Sequence, residues 1–354
     1  MTRRSFLFAL PLCALILLGQ GCFGGSSQPT GADGGIFKTV NNGQTWQQVK
    51  TVAGPKAGSI ANLNIATIAI DPQDQKAVYI GTTENGLLTS LDGGESWTTS
   101  KAPEVSAGKI HAIAVHPKDK CTVFVARSNQ LLKTTNCERD WSQAFFNPQT
   151  DAIFTALSID WFNPKIMYAG TSNGQIFRSL DGGQTWSSVA NRDEVITSIV
   201  LDPKDSRIVY AGANNLGLLK STDGGTTWQL IRNELAAFDN ARRITAIVMD
   251  PNAKNTLYTV SSYGILRSAD GGATWTDIPL PTPGNTVTIR GMAVSPQTSK
   301  FLVYVTDSSV VMSNNAGTSW TSRKLPTTRG TTTVIFDKSA EPAIYIGTTV
   351  RKTN

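Results

Sequence analysis

Four aspartates stand in one recurring setting. Asp92, Asp181, Asp223 and Asp270 each lie two residues after a serine and just before Gly-Gly, with Ser or Thr at +4 and Trp97, Trp186, Trp228 or Trp275 at +5. A carboxylate repeated in this way invites a general-acid or calcium-ligand reading. The spacing argues against both. Asp followed by Gly-Gly makes a tight turn in which the carboxylate accepts from nearby backbone N–H groups and glycine supplies positive φ. The flanking hydroxyls add further local partners. A carboxylate used up inside its own turn is structural, so no catalytic residue is assigned.

Other reactive types are sparse. Two histidines, His111 and His116, are too few for a histidine-built metal site, and no metal or cofactor is implied. Four cysteines are too few for a disulfide scaffold. The chain of 354 residues carries a net charge of +6, with no run of Lys or Arg longer than a pair, which does not describe a nucleic-acid binder. With 40% apolar residues and glycines that follow no three-residue period, it is neither disordered nor fibrous.

The first 21 residues read as an export signal. Arg3 and Arg4 precede an apolar run from Ser5 to Leu18, and small residues lead into Cys22. The run is shorter than the ~20 residues that span a bilayer. The cysteine after small residues resembles a bacterial lipoprotein signal, which implies lipidation at Cys22, ordinary cleavage nearby being the alternative. The stretch Thr2-Arg3-Arg4-Ser5-Phe6-Leu7 also looks like a twin-arginine signal, and the sequence leaves Sec and twin-arginine export both open. Either route ends outside the cytoplasm. Residues 22–35, rich in Gly, Ser and Pro, read as a flexible tether.

The elements that position these groups follow from a repeat. The octapeptide recurs seven times, ending at Trp46, Trp97, Trp141, Trp186, Trp228, Trp275 and Trp320, with spacings of 51, 44, 45, 42, 47 and 45 residues. The third copy, Thr134 to Trp141, is degenerate. Each complete repeat holds four short strand patterns separated by turns, such as Ile244–Asp250, Thr256–Val260, Gly264–Ser268 and the segment opened by Trp275. Four strands per repeat make one blade of a β-propeller. On the innermost strand, Ile68, Ile113, Leu157, Ile199, Ile247, Met292 and Val334 share one position. Six complete units run from about residue 65 to 324. The segment 36–49 supplies only two outer strands and 332–348 only two inner ones. The fold is therefore all-β: a single seven-bladed propeller of four-stranded blades over 36–354, closed two-plus-two and without an open edge.

The octapeptide resembles the Asp-box, or BNR repeat, of sialidase-type propellers. Sialidases, xyloglucanase-type enzymes and sortilin-type receptors share the fold. The sialidase Arg-Ile-Pro segment is absent here, and so is the cysteine-rich module of sortilin-type receptors. Xyloglucanase-type enzymes use two propellers across a cleft. In overall plan the chain is most similar to the photosystem II stability/assembly factor family, one seven-bladed propeller with a lipoprotein signal in cyanobacteria; the likeness covers about residues 31–354. That resemblance implies a non-enzymatic role in partner binding or complex assembly, and an arginine patch for which Arg242 and Arg243 are suggestive.

Further residues carry expectations. If the hairpin turns at Arg127–Gln130, Cys121 lies opposite Asn136, one residue from Cys137, so a Cys121–Cys137 disulfide is expected, two buried thiols being the alternative. At one innermost-strand position Ala66, Thr155, Thr197, Thr245 and Thr332 are replaced by His111 and Arg290, large polar groups near the channel mouth. The loop face opposite the octapeptides is modestly basic, with Arg127, Arg242, Arg243 and Arg329. His111, Arg127, Arg242, Arg243 and Arg290 are thus the candidates for partner or ligand binding. The expected protein is a monomeric lipoprotein facing the periplasm or cell exterior, with protein partners in a membrane-associated complex. A divergent glycoside hydrolase or glycan-binding propeller is the alternative.

Overall fold

The computed structural model describes Met1 and residues 33–54, 58–282 and 285–351. Cys22 lies outside the described residues. Among those described, no helix is long and apolar enough to cross a membrane.

Seven antiparallel four-stranded blades form the ring. Blade 1 runs inside to outside through Ile65–Ile70, Val78–Thr82, Leu87–Ser90 and Ser96–Thr99. Blade 2 comprises Ala112–Val115, Val123–Arg127, Gln130–Thr134 and Ser142–Phe146. Blades 3 to 6 begin at Phe154, Ile196, Ile244 and Ile289 and repeat the pattern. Blade 7 joins the chain ends: Gly330–Phe336 and Ile344–Thr349 lie inside, Ile36–Thr39 and Gln47–Val49 outside. This is the two-plus-two closure expected from the incomplete end repeats.

Second strands such as Val-Tyr-Ile-Gly-Thr at 78–82 are buried at every residue, because neighbouring blades cover both faces. A short continuous apolar run is the sequence mark of such a strand. Outer strands such as Thr321–Lys324 are fully exposed and polar. Two short strands fall outside the repeat pattern. Thr51–Val52 runs parallel to Ser96–Trp97 and pairs with Gly58–Ser59, extending the outer edge of blade 1.

Residues 33–35, expected to belong to the tether, are bound to the propeller. The Asp33 carboxylate accepts from Thr328 N at 2.7 Å and Thr328 Oγ1 at 2.9 Å. Gly34 N donates to Ala61 O, and Gly35 O accepts from Thr348 N at 3.0 Å. Arg329, expected on the loop face, is instead buried here and donates to Asn62 O, Leu63 O and Asn64 Oδ1. These contacts fasten residues 33–35 to the propeller. Those to Thr328 and Thr348 join residues 295 and 313 positions apart, so no local pattern announces them.

Each octapeptide closes on itself. In blade 4, Ser221 Oγ donates to Asp223 Oδ1 at 2.8 Å and accepts from Gly225 N at 2.7 Å. Asp223 Oδ1 also accepts from Thr226 N and Thr227 N, and Oδ2 takes the Thr227 hydroxyl at 2.6 Å. Asp92, Asp181 and Asp270 repeat this set. The first glycine is then held from two sides. Its N–H donates within the blade, as from Gly93 to Lys76 O and from Gly224 to Arg207 O. Its carbonyl accepts a cation from the preceding blade: Lys38 Nζ reaches Gly93 O at 2.8 Å, Lys133 Nζ Gly182 O at 3.2 Å, Arg178 Nη1 Gly224 O at 2.8 Å and Lys220 Nζ Gly271 O at 2.7 Å.

In the degenerate turn of blade 2, Cys137 N donates to Cys121 O, and the two residues are disulfide-bonded with Cα atoms 4.0 Å apart. The hairpin pairs Arg127 with Gln130. The closed loop spans a separation of 16 residues. A Cys121→Ser/Cys137→Ser variant is expected to lose about 3 kcal/mol of stability, read as a lower urea midpoint at unchanged slope.

Acid should also weaken the ring. Hydroxyl donation from Thr185 and Thr274, with backbone N–H groups, holds the Asp181 and Asp270 carboxyls down at about 2, against 3.8 ordinarily. Asp223 is lowered by the same kind of contact from Thr227. A depressed carboxylate stabilises the fold above its unfolded value, and that contribution fades as pH falls through the folded one. Urea midpoints should therefore drop between pH 3.8 and about 2, and an Asp181→Ala/Asp270→Ala variant, weaker at neutral pH, should show a shallower drop.

Candidate functional site

On the loop face, six of the seven innermost strands start with a β-bulge, blade 2 being the exception. The bulged residues are Ala66, Thr155, Thr197, Thr245, Arg290 and Thr332. A bulge re-aims its side chain at the rim. Thr197 and Thr245 turn theirs back into the blade, donating to Gly212 O and Val260 O, while Thr155 Oγ1 lies 2.5 Å from Ile196 O of the next blade and 3.2 Å from Gly170 O of its own. His111 holds the corresponding place in blade 2, just ahead of the strand that begins at Ala112, with its N–H on Ala126 O at 2.9 Å.

His111 and Arg127 lie in one pocket. It encloses about 340 Å³ and is lined by Gly108, Lys109, His111, Arg127 and the turn Ser128–Asn129–Gln130. Two devices hold it. The blade 1–2 connection is pinned where Gly108 N donates to Glu84 O at 2.7 Å, Gly86 N to Gly108 O at 3.0 Å and Ile110 N to Thr82 O at 3.1 Å. The hairpin turn has Ser128 at φ 54°, and Asn129 Nδ2 donates to Asn147 O at 2.8 Å. Gly108 adopts φ +79°, and a Cβ there would stand 3.3 Å from Arg127 Nε. A side chain at 108 would therefore be strained and would crowd the guanidinium.

The pocket is basic. Neither Lys109 nor Arg127 has an ion pair among the described residues. Burial first, and the Lys109 charge second, push the His111 imidazole down to about 4. It is neutral at physiological pH and shares the pocket with Lys109 and Arg127. Its lining holds no carboxylate. Two cationic donors beside a neutral imidazole suit a carboxylate or another small anion.

The remaining candidates lie apart. Arg290 is already paired, its Nε 2.7 Å and Nη2 3.2 Å from the Asp307 carboxylate. Arg242 is half-buried and Arg243 exposed on the blade 4–5 connection, outside this pocket. Asp92, Asp181, Asp223 and Asp270 sit in their turns. Among the described residues, no group of three or more His, Cys, Asp or Glu could hold a metal ion.

A larger cavity, about 820 Å³, opens on the rim between blades 1 and 2, with Asp71, Tyr79, Thr89 and Glu138 among its lining. No local motif marks these residues. Aligning the repeats shows two signals: Thr89 where five other repeats carry Lys or Arg, and Glu138 where all six others carry a glycine.

Comparison with known proteins places the chain among propellers of divided function. The Sortilin-Vps10 family (Sortilin, neurotensin receptor 3) matches residues 34–171, short of half the chain. The xyloglucanase Xgh74A of Acetivibrio thermocellus is 25% identical over 195 residues, covering 44% of this chain and 23% of its own length. The photosystem II assembly lipoprotein Ycf48 of a Synechococcus species is 27% identical over 157 residues, covering 44% of this chain and 43% of its own length. The chain thus matches less than half the length of either relative. The structure of YCF48 bound to D1 peptide superposes with a TM-score of 0.63 at 14% identity, over 82% of this chain and 94% of that one. At that identity the likeness is one of fold. The propeller resembles both an assembly factor and xyloglucanases, and sequence identity favours neither.

The pocket makes a direct prediction. His111 should titrate near 4, against 6.5 ordinarily. Because the folded state resists this proton, stability should fall as pH drops from 6.5 toward 4. In Lys109→Gln the midpoint followed by NMR should rise, since one neighbouring charge is gone.

Proposed function

We propose that this protein is a non-enzymatic, extracytoplasmic binding protein, tethered to a membrane through Cys22, whose loop face holds an acidic segment of a partner protein. The pocket of Lys109, His111 and Arg127 carries this reading. Its cations lack ion-pair partners among the described residues, and a partner's side-chain carboxylate or C-terminus would supply one. Such charge-assisted contacts add specificity as well as affinity. The existence of a peptide-bound YCF48 propeller supports a peptide-binding role for this fold. The leader and Cys22 support export and anchoring.

A second reading rests on the similarity to Xgh74A over 195 residues: a propeller that binds or cleaves a glycan. The two readings separate experimentally. A photo-crosslinking residue at Ser128, used in the lipidated protein in its own membrane, should capture a protein partner, and Arg127→Glu should abolish that adduct. The captured segment, as a synthetic peptide, should raise the His111 midpoint and lose roughly tenfold in affinity on Arg127→Gln. Hydrolysis or saturable binding of xyloglucan oligosaccharides, with no crosslinked protein, would replace the first reading by the second. Cys22→Ser should move the chain from the membrane to the soluble fraction.

A further inference from the structure

The clasp between blades rests on a side-chain pair that recurs around the ring. On the third strand, the residue before the octapeptide hydroxyl is Lys38, Lys133, Arg178, Lys220 or Arg267. Directly opposite on the second strand stand Tyr345, Phe124, Tyr168, Tyr210 and Tyr258 respectively. Lys38, Lys133 and Lys220 lie over their rings at 5.4, 5.0 and 5.8 Å from the centroid. This distance suits a cation–π contact. Blade 6 has Val303 opposite Met312, and Arg323 reaches Gly43 O and Gln44 O from the outer strand instead.

Blade 1 keeps the aromatic and lacks the cation. Tyr79 stands opposite Thr89. Across the seam, Cys137 and Glu138 replace Gly-Gly at φ 57° and 63°. Thr89 Oγ1 donates to Glu138 Oε1 at 2.6 Å. A threonine fills far less space than a lysine or arginine, and the cavity of about 820 Å³ lies here, lined in part by Tyr79, Thr89, Cys137, Glu138 and Asp71.

Asp71 supplies an independent sign of a missing donor. It is fully buried; its Oδ1 accepts from Gln73 N and Asp74 N, while Oδ2 is buried without a partner. In blade 4 the matching oxygen, Asp202 Oδ2, accepts from Asn255 N of the next blade at 2.6 Å, whereas in blade 5 Asp250 Oδ2 is unpartnered like that of Asp71. Lys120, on the cavity rim, forms no ion pair with Asp71. A buried acceptor left unmet costs free energy that an incoming donor recovers. Burial raises both the Asp71 and the Glu138 carboxyl, so a cation beside them favours their charged forms.

We propose that the cavity between blades 1 and 2 binds an organic cation, an ammonium or guanidinium on an alkyl stem, in the place that a Lys or Arg of the chain itself fills in five other blades. The stem lies along the Tyr79 ring, and the head meets Glu138, Asp71 Oδ2 and the Cys137 carbonyl. Rim charges of both signs, Lys101 and Arg139 against Glu104 and Asp140, leave the mouth without a strong bias. A free amine and a basic side chain of a peptide share this chemistry.

The test titrates the mature protein by calorimetry with n-pentylamine, agmatine and the peptide Gly-Lys-Gly, with 1-pentanol as the uncharged control. Saturable binding of at least one cation, and none of pentanol, is expected. Thr89→Lys gives blade 1 the internal cation that other blades carry. It should abolish binding and raise the thermal midpoint. Glu138→Gln, which keeps the shape, should weaken binding roughly tenfold, and this reads the site even if Thr89→Lys does not fold. Tighter binding of Gly-Lys-Gly points to a partner's basic side chain, and tighter binding of the free amines to a small ligand. No saturable binding of any cation, equal binding of pentanol, or affinity unchanged in both variants would overturn the proposal.

Discussion

The ring depends on one acceptor, the carbonyl of the first glycine in the four Gly-Gly octapeptide turns. The turn consumes its own aspartate and hydroxyls internally, but it points this carbonyl outward, toward the preceding blade. Left alone at a seam between sheets it would be a polar group without water. A cation from the neighbour meets it: Lys38 at Gly93, Arg178 at Gly224, Lys220 at Gly271. Tyr168 and Tyr345 add their hydroxyls at Gly224 and Gly93. The same contact fixes a turn and joins two blades, so the repeat spacing and the ring geometry are one constraint.

Where the repeat is regular, the hydroxyl and carboxylate of its octapeptide turn satisfy each other. Both cavities lie where it is irregular, around the connection between blades 1 and 2. At its outer end, Lys101 to Glu104 border the seam cavity. At its inner end, Gly108 to His111 form one wall of the basic pocket. Real proteins break local rules at functional places and compensate nearby. Here the Cys121–Cys137 disulfide holds the turn that lacks Gly-Gly, and the Thr89–Glu138 hydrogen bond replaces the missing clasp.

The two cavities differ in kind. The loop-face pocket presents cations and a neutral imidazole and suits an anion. The seam cavity presents two carboxylates at its inner end and suits a cation. They also differ in what they ask of a ligand: the pocket sits at the channel mouth, open to a protein surface, whereas the seam admits a slender group between two sheets. A propeller has many such seams, and only the departure of Thr89 and Glu138 from the pattern makes this one available.

The sequence by itself determined the seven blades, their four strands, the two-plus-two closure and the hairpin at Arg127–Gln130. Turn chemistry and strand alternation are local, and seven copies reinforce one another. The equivalence of His111 with Ala66 and Thr155 was also legible, since register carries it. Only the tertiary structure decided the fates of the charges. Arg329 turned inward to fasten the N-terminal segment, Arg290 was taken by Asp307, and Arg127 came to His111. It alone also showed Asp33 on Thr328, Thr51–Val52 beside Ser96–Trp97, and Asp71 with an unmet oxygen. The physical reason is that long, flexible charged side chains choose among partners brought together by folding, and sequence spacing does not record which partner is nearest.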